Sequence, residues 1–200
     1  MKNIQFRDIV VEVKRLCVDA NVDLPADSLK ALESAVRREK SVLARSILEQ
    51  CVKNASIARS EQIPICQDTG LAVFFVRLGR DAAVIGGTGL VGDAIQQGVR
   101  AGYAEGYLRT SVLADPLYDR KNTKDNTPAI IHLEIVAGDS LEITIAPKGG
   151  GAENMSRIAM LAPSAGEAGV ISFVTETVVS AGGNPCPPTV VGVGIGGNFE

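Results

Sequence analysis

Hydrophobic and polar positions follow two different periods along this chain, and the change from one to the other falls near residue 62. From Phe6 to about Asn21 the apolar residues Ile9, Val10, Val13, Leu16 and Cys17 recur at helical spacing, which predicts a helix with Cys17 on its inner face. A second helix is expected after Leu24-Pro25, with Pro25 or Ala26 near the cap and Leu29, Leu32 and Val36 as its stripe. A third covers about Ser41 to Ser60, capped by Ser41, with Leu43, Ile47, Leu48, Cys51 and Val52 turned inward. Past the loop around Cys66 the pattern becomes that of a sheet. Leu71 to Leu78 is a continuous β-type run ended by Gly79, and Ala82 to Ile85 is a further short strand. A glycine-rich turn and a helix from about Leu90 to Glu105 follow. Ile130 to Ala137 and Leu141 to Ala146, joined by Gly138-Asp139-Ser140, predict a β-hairpin. A helix around Ala165 to Ser180 and a strand at about Thr189 to Val193 complete the pattern. The expected class is α/β, of the α+β type: an N-terminal helical subdomain over 1–62, then a mixed β-sheet with flanking helices over 63–200.

Composition narrows the classes of function. With 200 residues, 46% hydrophobic and 22% charged, the chain can bury a core of ordinary size. A net charge of −3 with scattered basic residues argues against a nucleic-acid partner, and Arg37-Arg38-Glu39-Lys40 reads as a solvated helix face. No apolar run approaches the length of a membrane span, and none follows Met1-Lys2-Asn3, so a cytoplasmic protein is expected. Cysteines at 17, 51, 66 and 186 lack the dense spacing of a disulfide framework, which leaves reduced thiols or metal ligation. Tryptophan is absent and glycine numerous, a balance that suits loops whose backbone approaches a ligand.

Two of the cysteines sit in loops that expose their sulfur. Cys186 lies in Asn184-Pro185-Cys186-Pro187-Pro188, where flanking prolines remove backbone donors and fix φ, and Cys66 lies between Pro64 and Gly70 in Pro64-Ile65-Cys66-Gln67-Asp68-Thr69-Gly70. Stiff, open loops of this kind suit metal thiolates, whereas Cys17 and Cys51 fall on apolar helix faces and read as core. Pro147-Lys148-Gly149-Gly150-Gly151-Ala152-Glu153-Asn154-Met155-Ser156 follows a strand directly, and its three glycines allow successive N–H groups to converge on an anion. The lone histidine, His132, alternates with Ile131 and Leu133 and reads as a strand residue rather than a base, since no nucleophile motif accompanies it. A rival reading comes from Gly87-Thr88-Gly89-Leu90-Val91-Gly92, which fits the dinucleotide-binding pattern between a strand and a helix, with Asp115 downstream. A nucleotide-binding oxidoreductase domain and a non-catalytic assembly module therefore stand as alternatives.

Taken in order, Cys66-Gln67-Asp68-Thr69-Gly70, Leu108-Arg109, Lys121-Asn122-Thr123, the Lys148 to Ser156 segment and Asn184-Pro185-Cys186-Pro187-Pro188 closely resemble the iron–sulfur-dependent hydratases. These are class I fumarate hydratase and the related L-tartrate dehydratase alpha subunit, and the resemblance runs from about residue 10 onward. It implies a [4Fe-4S] cluster held by three thiolates, two of them matching Cys66 and Cys186, with an open iron acting as a Lewis acid on a dicarboxylate substrate. It also implies that Gln67 and Asp68 lie beside that iron, with Asp68 near the reacting hydroxyl. Arg109 is expected to clamp a carboxylate, and Gly149, with Lys148 beside it, to contribute to substrate binding. The third family cysteine lies beyond the Cys186 motif, and the family's catalytic base comes from a C-terminal domain or a separate beta subunit. The resemblance therefore predicts a truncated alpha part that is inactive alone, working as a homo-oligomer or an alpha/beta complex.

Overall fold

A computed structural model describes residues 1–198, and its contacts divide the chain into two compact units, Met1–Gly149 and Gly150–Glu200. The first unit opens with β1 (Lys2–Gln5) and α1 (Phe6–Val22), followed by α2 (Ala26–Arg38), α3 (Val42–Glu61), β2 (Leu71–Gly79), β3 (Ala82–Ile85), α4 (Val91–Glu105), β4 (Ile130–Val136) and β5 (Leu141–Lys148). The division falls at Gly149/Gly150, not near 62, because α1 packs on α4 and on β5 and so shares one core with the sheet, while α2 pairs chiefly with α3.

That core forms between two helices and one face of a three-stranded sheet. Ile9, Val13 and Cys17 of α1, Ala72, Phe74 and Val76 of β2, and Ile95, Val99 and Tyr103 of α4 make one buried cluster. Alternation along β2 accounts for its half: Ala72, Phe74 and Val76 are buried, and Val73, Phe75 and Arg77 face away from the helices. The helices approach closely. A Cβ placed on Gly98 would stand 2.6 Å from the Cβ of Val13, and one on Gly102 would stand 2.8 Å from that of Cys17. These two glycines thus serve helix packing rather than a ligand loop.

The strand order β4-β2-β5 overturns the expected hairpin: β2 lies between the two strands, parallel to β4 and antiparallel to β5. The Gly138 to Ser140 link arches over the end of β2, where Ser140 and Gly138 carbonyls accept N–H groups from Gly79 and Asp81 at 2.7 and 2.9 Å. A side chain on Gly79 would strike the Gly138 carbonyl. Turn chemistry between two strands shows that the chain reverses, not which strand fills the space between them. On the outer face Arg77 reaches Glu134 and Glu142, 3.4 Å from each, and the exposed His132 ring stacks on Phe75 at 5.1 Å.

Two further expectations change. Ser41 caps α3 by accepting the Ala44 N–H at 3.3 Å, yet Leu43 and Ile47 are exposed, because only one side of α3 is covered. In the second unit α5 (Gly150–Glu153), a 3₁₀ turn (Pro163–Ala165) and α6 (Gly166–Ala181) appear, but Thr189 to Val193 forms no strand. A β-run needs a ladder partner, and its unit holds none among the described residues.

Candidate active site

The Cys66 loop is a bracket fastened at both ends. Ile65 donates its N–H to the Asn21 carbonyl at 2.9 Å and accepts from the Asn54 side chain at 2.8 Å, so helices α1 and α3 hold its entry. At its exit Thr69 and Gly70 are buried, and the Tyr103 hydroxyl donates to their carbonyls at 3.0 and 3.3 Å. Burial, with Cys17 and Asp68 acting in the same sense, pushes the Tyr103 hydroxyl above its ordinary pKa, so it remains a donor. Between these anchors Cys66 and Gln67 are exposed. The backbone curls around the sulfur: Asp68 donates its N–H to Cys66 Sγ at 3.4 Å, and the thiol reaches Gln67 Oε1 at 3.5 Å.

Arg109 arrives from the other side of the same depression. After α4 the chain turns through Tyr107, a non-glycine residue at φ +53° with its ring almost wholly in solvent. Leu108 is buried, and the Thr69 hydroxyl donates to the Arg109 carbonyl at 2.9 Å. Pro64, Ile65, Cys66, Gln67, Thr69, Tyr107 and Arg109 line an open hollow of about 310 Å³. Three predicted residues therefore meet in one place, a thiol, a carboxamide and a guanidinium, with an unforeseen phenol beside them.

Asp68 and the start of the glycine run form an adjoining wall. Gly70, at φ +68°, lies so near the Lys148 carbonyl that an added Cβ would stand 2.5 Å from it. A Cβ on Gly149 would stand 3.4 Å from Asp68 Oδ2, so the absence of a side chain there leaves space at the carboxylate. Asp68 also accepts the Gly70 N–H at 3.0 Å, which fixes its rotamer. Lys148 ends β5 half-buried.

Cys186 belongs to the second unit. Asn184 and Cys186 fold back on the end of α6 through N–H bonds to the Ala181 and Gly183 carbonyls at 3.1 and 3.2 Å. Cys186 takes φ +58°, a conformation that a residue with a Cβ adopts only when its surroundings enforce it. Gly151 sits against this turn: its Cβ position lies 3.3 Å from the Asn184 carbonyl oxygen and 3.9 Å from Cys186 Sγ. Cys186 is exposed, as Cys66 is, whereas Cys17 is fully buried and its thiol is pushed up to about 12 by desolvation. Cys51 is half-buried on α3. Among the described residues no group of three or more His, Cys, Asp and Glu side chains gathers as a metal site, and Cys66 and Cys186 are the two cysteines that are exposed.

Within the Gly87 to Gly92 segment, Gly87 has a packing role. A Cβ on Gly87 would stand 2.6 Å from the Phe6 ring, and among the described residues the β3 strand before it pairs only with the four residues of β1. Asp115 accepts the N–H groups of Leu117 and Tyr118 at 2.8 and 3.0 Å, closing its own turn. Sequence reasoning missed Tyr103, Tyr107 and Asn126. Tyr103 continues the buried Ile95, Val99 stripe at four-residue spacing, where a polar-tipped ring signals a buried bond. Asn126 follows Lys121-Asn122-Thr123 closely and was within reach of the same motif.

A family model described as Fumarate hydratase (Fumerase) matches residues 10–200. A Methanocaldococcus jannaschii protein named "Putative L(+)-tartrate dehydratase subunit alpha" is 39% identical over 98% of this chain and 68% of its own length. The L(+)-tartrate dehydratase subunits alpha of Escherichia coli K12 and Shigella sonnei are each 32% identical over 98% of this chain, which spans 63% of theirs. With this match, and with the family's motifs found around one hollow and on one strained turn, the chain belongs to the fumarate hydratase (Fumerase) family.

Proposed function

We propose that this chain is the alpha part of an iron–sulfur hydro-lyase that reversibly hydrates fumarate to malate or dehydrates a similar hydroxy-dicarboxylate. The observation that supports this most directly is the hollow itself, which an exposed thiol, a carboxamide and a guanidinium line together. Cys66 and Cys186 fit two positions of a [4Fe-4S] cluster: both sulfurs are exposed, and Cys66 already accepts a backbone N–H, the kind of donor that stabilises a cluster thiolate. The third thiolate comes from outside these residues, since Cys17 is buried as a neutral thiol and Cys51 is half-buried on α3, away from any loop. When bound, the cluster supplies Lewis acidity toward the substrate's oxygen atoms.

The chain's own residues do the rest. Arg109 pairs with one carboxylate through two charge-assisted bonds, which fixes the carbon skeleton and stabilises the negative charge that grows when the adjacent C–H proton leaves. Gln67 orients the hydroxyl-bearing end. Asp68, held by the Gly70 N–H, stands near the reacting hydroxyl, and Gly149 and Lys148 border the same wall. The base that takes the proton is supplied by a beta subunit or C-terminal domain, the partner implied by relatives that are themselves named alpha subunits. The reduced thiols suit the cytoplasm.

Anaerobic reconstitution with iron and sulfide, followed at visible wavelengths, tests the ligand set. The 200 residues alone are expected to hold little or no cluster and to lack hydratase activity, whereas coexpression with the missing alpha region and the beta part yields a brown complex that consumes fumarate or L-tartrate. A stable cluster on the chain alone would overturn the assignment of the third ligand, and a cluster-loaded complex inert toward both acids would overturn the reaction.

A further inference from the structure

Asn126 is completely buried, and its side chain joins two separate stretches of backbone. Nδ2 donates to the Gly70 carbonyl at 3.1 Å, while Oδ1 accepts the N–H groups of Ser111 and Val112 at 2.7 and 3.3 Å. Gly70 closes the Cys66 loop, and Ser111 lies two residues after Arg109. A carboxamide offers donors and an acceptor in one plane, so a single side chain can grip a carbonyl on one loop and N–H groups on another. Neither an ionised acid nor an apolar residue of that size does both. Asn122 supports the same strand of backbone by donating to the Thr110 carbonyl at 3.0 Å, but it does not reach the Cys66 loop.

We propose that Asn126 is a positioning residue that ties the Cys66–Gly70 loop to the Arg109–Val112 segment, so that a metal thiolate and a carboxylate-binding guanidinium present themselves to the substrate as one rigid body. What the two loops hold rests on the function proposed above; the tie does not. Its value lies in orientation: two loops moving independently lose the alignment that makes a bound dicarboxylate reactive. The Tyr103 hydroxyl grips the same loop through the Thr69 and Gly70 carbonyls.

Asn126→Asp separates the two halves of the tie, because it keeps the acceptor for Ser111 and Val112 and removes the donor to Gly70. Amide hydrogen exchange is expected to quicken about tenfold at Asp68 and Gly70, the factor produced by about 1.4 kcal/mol of easier local opening. Ser111 and Val112 stay slow, and Cys17 stays inert to an alkylating reagent. Asn126→Leu quickens both loops. No change at Asp68 and Gly70, or faster exchange throughout with Cys17 exposed, would overturn the proposal. Should Asn126→Asp not fold, Asn126→Ala removes both halves of the tie: quickening at Asp68, Gly70, Ser111 and Val112 with Cys17 still inert supports the tie, and no quickening overturns it. In the complete enzyme Asn126→Asp should lower kcat/KM about tenfold at unchanged iron content. An unchanged kcat/KM would overturn the positioning role. A wild-type complex without hydro-lyase activity would instead defeat the reaction proposed above and leave the exchange pattern to decide the tie.

Discussion

At the scale of single residues, chemistry follows from whether a side chain is reachable and what its neighbours offer. The four cysteines divide on this basis: Cys17 is neutralised by burial, Cys51 is partly covered on a helix, and Cys66 and Cys186 present their sulfur on loops. Replacing Cys66 or Cys186 by Ser should therefore abolish iron retention in the reconstituted complex without lowering its melting temperature before reconstitution, and retained iron would contradict their role. Arg109 belongs to the same scale. Lysine keeps the charge but loses the planar fork, so Arg109→Lys is expected to raise KM for the dicarboxylate about tenfold or more with a smaller effect on kcat. Steady-state kinetics that show KM unmoved would place the carboxylate elsewhere.

Among elements, the decisive contact is the seam between α1 and α4. Helix propensity alone favours alanine over an interior glycine by about 1 kcal/mol, yet the Gly98 Cβ position lies 2.6 Å from the Cβ of Val13, an atom fixed to its own backbone. Overpacking of about 1–3 kcal/mol should win, so Gly98→Ala is expected to lower the urea midpoint at constant slope. A raised midpoint would mean that the seam has slack. Element existence was largely legible: α1, α2, α3, β2, β3, α4 and α6 follow the apolar periods closely, and Ser41 caps as its side chain suggests. Partner choice was less so. Leu43 and Ile47 have the spacing of a buried stripe but nothing covers them within their unit, because periodicity marks a face and not what lies on it.

Across the molecule, stability should form a plateau between two titrating sets. Burial tends to raise the Asp125 pKa, but bonds from the Thr127 hydroxyl and N–H and from Arg100 outweigh it, leaving it below the ordinary carboxylate value. Asp115 is also lowered, by N–H groups of Tyr118, Leu117 and Asp119. The unfolded chain therefore takes up these protons first. Their contribution is whole above about pH 4 and is lost as pH falls through the lower folded values. On the alkaline side the sign reverses: Cys17, raised from 9.0 to about 12 by burial, stabilises the fold below its unfolded pKa and loses that contribution as pH rises toward the folded one. Urea midpoints measured across pH should fall at both ends, with Asp125→Asn flattening the acid limb; an unaltered acid limb would remove Asp125 from the account. No helix among the described residues is long and apolar enough to cross a membrane.

The sequence by itself determined where most of the helices and strands form and which residues have the chemistry of a site, because backbone propensity, turn residues and side-chain type are local properties. It indicated the Cys66 loop, Arg109 and the glycine run, and the structure sets Cys66 and Arg109 on one hollow and Gly149 against Asp68. Only the tertiary structure decided that β2 enters between β4 and β5, that α1 joins the sheet rather than a separate helical subdomain, and that Asn126 and Tyr103 hold the loops. Those outcomes depend on which surfaces bury the most apolar area together and on hydrogen bonds between residues far apart in the chain, and neither is written in any local stretch of it.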